Sequence, residues 1–138
     1  MCGSQPGGEG NVIDRWDRLF EALAAEPRRR IIGALLRAPV GESVPLPEVA
    51  ANPALEPDLE QLRLRLRHHH LPLLERERIV QWERDPLRAY RGCEFEEAGG
   101  ILRSLYANAE ELPDRLVVGY RTPECERAGG NPGSERGR

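Results

Sequence analysis

Between residues 58 and 78 the apolar side chains recur at intervals of three and four, and from residue 79 the interval falls to two. That change of period makes a helix hand over directly to extended chain, which few small folds accommodate. In the helical stretch Leu59, Leu62, Leu66, His70 and Leu73 line one face, while Leu64, Leu71 and Leu74 fall elsewhere on the wheel. A helix apolar on more than one side is buried from two directions. Pro72 removes one helical hydrogen bond and biases Leu71 away from helical backbone, so a kink or break is expected within residues 69–72. Beyond it Ile79-Val80-Gln81-Trp82 alternates, Arg84-Asp85-Pro86 turns and Leu87-Arg88-Ala89-Tyr90 alternates again, which predicts a β-hairpin.

Upstream, Trp16, Leu19, Phe20 and Leu23 recur as one buried face of a helix over residues 13–25, with Asp14 at its start. Glu26-Pro27 punctuates, and a second helix runs to about Arg37 with Ile31, Ile32, Leu35 and Leu36 on its apolar side. Arg28, Arg29 and Arg30 stand at its start, the unfavourable end of the dipole for cations. Pairing with Asp14, Asp17 or Glu21 is the simpler expectation for them, phosphate the other. A short helix is expected over residues 46–51, packing through Leu46, Val49 and Ala50 and stopped by Asn52-Pro53. A last helix is expected over residues 94–112, where Gly99-Gly100 either weakens it or permits close helix–helix approach. The expected fold class is mainly α with a small β-hairpin, a winged helix-turn-helix over residues 12–93. Residues 94–120 form a C-terminal helix that is the expected dimerisation element. Residues 1–11 and 121–138, rich in Gly, Pro, Ser and charge, read as disordered tails.

All 20 basic side chains of the Lys+Arg total are arginine, and the net charge is −3. The balance is uneven. Residues 58–91 hold eight Arg against six acids, and residues 92–138 hold six Arg against nine acids. A local field, more than the total, decides what a surface attracts. Cys2, Cys93 and Cys125 share no short spacing, so reduced, unpaired thiols are expected, with Cys93 a packed and inert one. No apolar run is long enough for a membrane helix and no signal-peptide core follows Met1, so a soluble, cytoplasmic protein without a membrane partner is expected. No glycine-rich phosphate loop, nucleophile elbow or hydrolase motif occurs, which speaks against an enzyme and against a cofactor.

Arg18-Leu19-Phe20-Glu21-Ala22-Leu23 followed by Glu26-Pro27-Arg28-Arg29-Arg30-Ile31-Ile32 resembles the opening of ArsR-type regulators. His70-Leu71-Pro72-Leu73-Leu74-Glu75-Arg76-Glu77-Arg78-Ile79-Val80 resembles the exit of their recognition helix into the wing. Arg78 stands where that family usually has Gly, which predicts a tighter or strained turn. The likeness is greatest to a haloarchaeal group of ArsR-like winged-helix domains of undefined function, and it covers about residues 14–110. It implies sequence-specific binding of double-stranded DNA and homodimerisation through terminal helices.

The candidate DNA contacts are Arg63, Arg65, Arg67, His68 and His69 on the long helix and Arg84 and Arg88 on the hairpin. Arg65, His68 and His69 point away from or beside the Leu62/Leu66 face and are the favoured readers. No metal site is expected from His68-His69-His70, because consecutive helical residues splay apart and helical chelates use i and i+4. His70, on the apolar face, is expected to be a hydrogen-bonded core residue. The rival expectation is a winged helix used as a protein–protein module, favoured by the overall acidity and the two-sided apolar helix.

Overall fold

The computed structural model describes residues 12–117, so the expectations for residues 1–11 and 121–138 lie outside the described residues. The chain divides into two compact units, residues 1–99 and 100–138. The first unit opens with helix α1 (Val12–Ala22) and helix α2 (Glu26–Arg37), followed by strand β1 (Val44–Pro45) and two 3-10 turns, Glu48–Ala50 and Pro53–Leu55. Helix α3 (Leu59–Arg65) then runs through a π-turn (Leu66–His70) into helix α4 (Leu71–Arg76). Strands β2 (Val80–Arg84) and β3 (Leu87–Arg91) form the hairpin, and helix α5 (Phe95–Ala107) begins in this unit. The second unit contains the rest of α5, a 3-10 turn at Ala109–Glu111 and helix α6 (Asp114–Val117).

The fold is mainly helical with one small antiparallel sheet, ordered β1–β3–β2. A hairpin wing directly following the long helix gives the winged helix-turn-helix plan. The hairpin register sets Val80 opposite Arg91, Trp82 opposite Ala89 and Arg84 opposite Leu87. Strand β1 is an addition to the sequence expectation. It pairs Val44 with Ala89 and Pro45 with Arg88, and the Leu46 N–H donates to the Leu87 carbonyl at 3.0 Å. Two residues are too short to leave an alternating pattern. The helix expected at residues 46–51 is a single 3-10 turn, because Pro47 and Asn52-Pro53 leave room for one turn only. Asn52 is buried there, its Nδ2 donating to Glu26 Oε2 at 2.7 Å and its Oδ1 accepting from the Ala54 N–H at 3.0 Å.

The core of the first unit joins Ile31, Ile32 and Leu35 of α2 to Leu66, Leu71 and Leu74 of the long helix. Ile79, Val80, Leu87 and Ala89 of the hairpin and Phe95 of α5 complete it. Gly99 allows α5 to approach α2, for a Cβ there would lie 3.1 Å from Leu36 Cδ2 and 2.9 Å from the Phe95 ring. Helix α1 departs from its expectation. Ala22 and Leu23 are buried, but Trp16 and Phe20 remain 48% and 59% exposed. Their rings lie 5.7 Å apart against each other.

The disturbance expected near Pro72 takes the form of the π-turn. The Leu71 N–H bonds to the Leu66 carbonyl, one residue farther back than in an α-helix. The wider turn relieves the clash of the Pro72 ring with the carbonyl four residues earlier, so the helix continues without a break.

The strain expected at Arg78 is present. Its φ is 64°, in the left-handed region, and its N–H still donates to the Glu75 carbonyl at 2.9 Å. The Arg78 carbonyl accepts from the Glu94 N–H at 2.8 Å, which locks the helix exit to the start of α5. Gly92 passes so close to this turn that a Cβ would lie 2.8 Å from the Ile79 carbonyl carbon. Arg78→Gly removes the left-handed cost and raises stability by about 1 kcal/mol, whereas Gly92→Ala lowers it by about 2 kcal/mol through overpacking. Urea denaturation of both variants checks the opposite signs.

Candidate nucleic-acid interface

Helix α3 begins at an N-cap, Asp58, whose carboxylate accepts from the Glu60 and Gln61 N–H groups at 3.0 and 3.2 Å. The cap fixes which side of α3 faces the core. Leu66 is buried and Leu62 half-buried, so the opposite side faces outward. Glu60, Gln61, Leu64, Arg65 and His68 are exposed, and Arg63 and Arg67 are half-buried at the edges of this surface. Among the described residues, no ion pair or hydrogen bond holds Arg63, Arg65 or Arg67, and the Nε of Arg67 is buried without a partner.

Several other arginines of the unit are tied down. Arg28 is 5% exposed; its Nε donates to the Ala22 carbonyl and a terminal nitrogen to the Glu21 carbonyl, both at 2.9 Å. Arg29 donates to the Leu23 carbonyl at 2.6 Å. Both side chains thus donate to carbonyls at the end of α1, and Glu21 adds a favourable charge beside Arg28. That end carries the negative pole of the helix dipole. Arg30 lies 3.8 Å from Glu26. Arg91 does for α2 what Arg28 does for α1, donating to the Leu35 carbonyl at 2.9 Å while its guanidinium covers the Phe95 ring at 4.7 Å.

The histidine run separates into different roles. His70 is buried, and its Nδ1 accepts from Arg28 at 2.9 Å, as expected of a hydrogen-bonded core residue. Arg28 can only donate, so His70 carries its proton on Nε2. His69 is exposed. Its Nε2 is 3.5 Å from the same Arg28 nitrogen and its ring lies 4.9 Å from that of His70. His69 thus borders the Arg28 cluster while its side chain stays exposed. His68 stays exposed and joins the outward face.

The two wing arginines do not act together. The register puts Arg84 on the face of Trp82 and Leu87, and Arg88 on the face of Glu83 and Tyr90. Arg84 is exposed and stacks over the Trp82 ring at 4.6 Å, and Trp82 in turn donates from Nε1 to Glu75 of α4 at 3.0 Å. Arg88 is bound by Ser43, through Oγ at 2.5 Å and the carbonyl at 3.2 Å, and stands across from Glu83. Glu83 accepts from the Tyr90 hydroxyl. Of the two, only Arg84 remains available to an external anion. Gln61 and Leu64 belong to the outward face although neither was singled out by sequence; their three-residue spacing on the side away from Leu66 was the available signal.

Cys93 corrects a second expectation. It is exposed in the turn between β3 and α5, not packed, and it is disulfide-bonded. A thiol in a surface turn is open to oxidation, which spacing along the chain does not reveal. Cys2 and Cys125 lie outside the described residues. Among the described residues no cluster of three or more His, Cys, Asp or Glu is placed to hold a metal, and no helix is long and apolar enough to cross a membrane. No family model, curated protein or solved structure matches the chain.

Burial, with the neighbouring charges of Arg28, His69 and Arg65 adding to it, pushes His70 down to about 4 from an ordinary 6.5. Folding therefore favours neutral His70. Its contribution is fully present above pH 6.5 and is lost as pH falls toward 4, amounting to on the order of 3 kcal/mol. Urea midpoints measured from pH 7.5 to 4 fall across this window in the wild type. His70→Gln, which keeps an acceptor but does not titrate, flattens the slope.

Proposed function

We propose that this chain is a DNA-binding transcriptional regulator of the winged-helix type, which lays α3 in the major groove of duplex DNA and acts in the cytoplasm as a homodimer. The observation that carries the reading is the contrast among its arginines. Arg28, Arg29, Arg88 and Arg91 are held by carbonyls or by Ser43, whereas exposed Arg65 and half-buried Arg63 of α3 and half-buried Arg67 of the π-turn have no ion pair or hydrogen bond among the described residues. Guanidiniums without an internal partner on the helix that precedes a wing suit contacts to the phosphates and base edges of a duplex. Arg84, on the exposed side of the wing, supplies a further phosphate contact. The homodimer reading is supported by α1, where Ile13, Trp16 and Phe20 form an apolar stripe, with Ile13 77% exposed. A stripe of this kind, rimmed by charge, suits a self-complementary two-fold interface.

The alternative, a protein–protein module, is favoured by one observation: Leu59 and Leu64 of α3 are 45% and 53% exposed. The two readings separate in a salt series of fluorescence anisotropy with labelled duplex DNA. Binding that weakens with salt is expected, and replacing Arg65 and Arg67 by Ala lowers both the affinity and the salt slope, the latter by roughly 2. Absence of salt-dependent binding to every duplex tried would leave the protein–protein reading in front. For the oligomer, light scattering on Trp16→Glu with Phe20→Glu is expected to give a monomer where the wild type gives a dimer. A wild type that is itself monomeric removes the dimer from the proposal.

A further inference from the structure

We propose that Leu64 reads the 5-methyl group of thymine, with Gln61 and His68 on neighbouring base edges and the arginines on the flanking phosphates. The inference rests on the DNA-binding reading of α3 and deepens it. Leu64 sits on the side of α3 opposite the buried Leu66 and is 53% exposed. Gln61, three residues before, and His68, four residues after, lie on the same exposed side. Arg65 stands on one flank of this ridge and Arg63 and Arg67 on the other. A helix entering the major groove crest-first therefore presents an amide, a leucine and an imidazole to the bases, and guanidiniums to the phosphates on either side.

The chemistry of the crest selects its ligand. In the major groove only thymine offers an apolar group to a side chain. A glutamine pairs two-fold with the N6 and N7 of adenine, the partner base of thymine. Gln61 and Leu64 thus converge on A·T pairs. From Gln61 to His68 the helix rises about 10 Å, close to three base-pair steps at about 3.4 Å each. Glu60, one turn before Leu64 on the same side, meets phosphate repulsion and finds acceptable partners only in amino donors such as cytosine N4. That favours entry centred on residues 61–68.

The test uses the full chain and a pool of duplexes with a randomised centre. The pool is enriched on the protein, and the enriched duplex is then made with thymine or with deoxyuridine, which pairs identically but lacks the methyl. For the wild type, uracil substitution is expected to weaken binding about fourfold per contacted methyl. Leu64→Ala is expected to bind both duplexes alike, while Leu64→Met restores discrimination and Arg65→Ala weakens both without changing their ratio. Thermal melts of the variants confirm folding. Equal binding of the two duplexes by the wild type, with salt dependence intact, overturns the role of Leu64 and leaves DNA binding standing. A folded Leu64→Ala that keeps the wild-type ratio overturns that role equally. No enrichment and no salt-dependent binding overturns both.

Discussion

Arg28 ties together three pieces of chain, the end of α1, the start of α2 and the π-turn of the long helix. From the first turn of α2 its guanidinium reaches back to the carbonyls of Glu21 and Ala22, and its remaining donor meets His70 in the π-turn. A cation at the start of a helix is unfavourable on dipole grounds alone. Here the opposing pole of α1 lies within hydrogen-bond reach and reverses the sign. The planar fork matters, since one side chain must donate in three directions while nine-tenths buried, which a compact ammonium cannot do. Breaking the set by deleting one partner leaves a buried charge uncompensated, a cost of roughly 3–5 kcal/mol in comparable sites. The orientation of α3 is inherited from this corner, because the π-turn that ends it is one of the three pieces held.

The π-turn in turn decides which apolar residues of the long helix are spent on the core. Downstream of it Leu71, Leu73 and Leu74 are all buried; upstream only Leu66 is, while Leu59 and Leu64 are exposed. A widened turn shifts the face of the helix that follows it relative to the face that precedes it. A stripe read at constant period from residue 59 to residue 73 therefore describes two surfaces. Pro72 is the local cause, and its effect is to free the outward side of α3 from packing duties. A surface with Leu59 and Leu64 exposed and its arginines unpaired among the described residues is the result.

Several of these features were legible in the sequence for identifiable reasons. The change of period at residue 79 specified the hairpin, Pro72 specified a disturbed helix, and a non-glycine residue at position 78 specified backbone strain, now seen as its positive φ. What escaped was set by partners that a sequence does not display. Backbone carbonyls have no letter, so the bonds of Arg28 to the end of α1 could not be read from the sequence. Strand β1 is two residues long and carries no pattern. Trp16 and Phe20 recur as a buried face does, and the described residues do not cover them. The division of Arg84 from Arg88 was within reach, because a two-residue turn pairs Arg84 with Leu87 and so sends Arg88 to the other face.

That division shows how a chain of net charge −3 can still carry a local excess of exposed arginine. The Arg88 face of the wing neutralises itself through Ser43, Glu83 and Tyr90. On the other face Trp82 occupies Glu75 by a hydrogen bond and places its ring beneath Arg84, whose side chain stays exposed. Arg15 gathers Glu94 and Glu97 in the same way, drawing two acids into an ion-pair set of their own. At physiological salt, charges beyond about 8 Å are largely screened. The field at α3 and the wing is therefore set by the groups near them and not by the total. Net charge and local charge part company because intramolecular pairing consumes the acids of this unit unevenly, and the unpaired remainder on α3 is cationic.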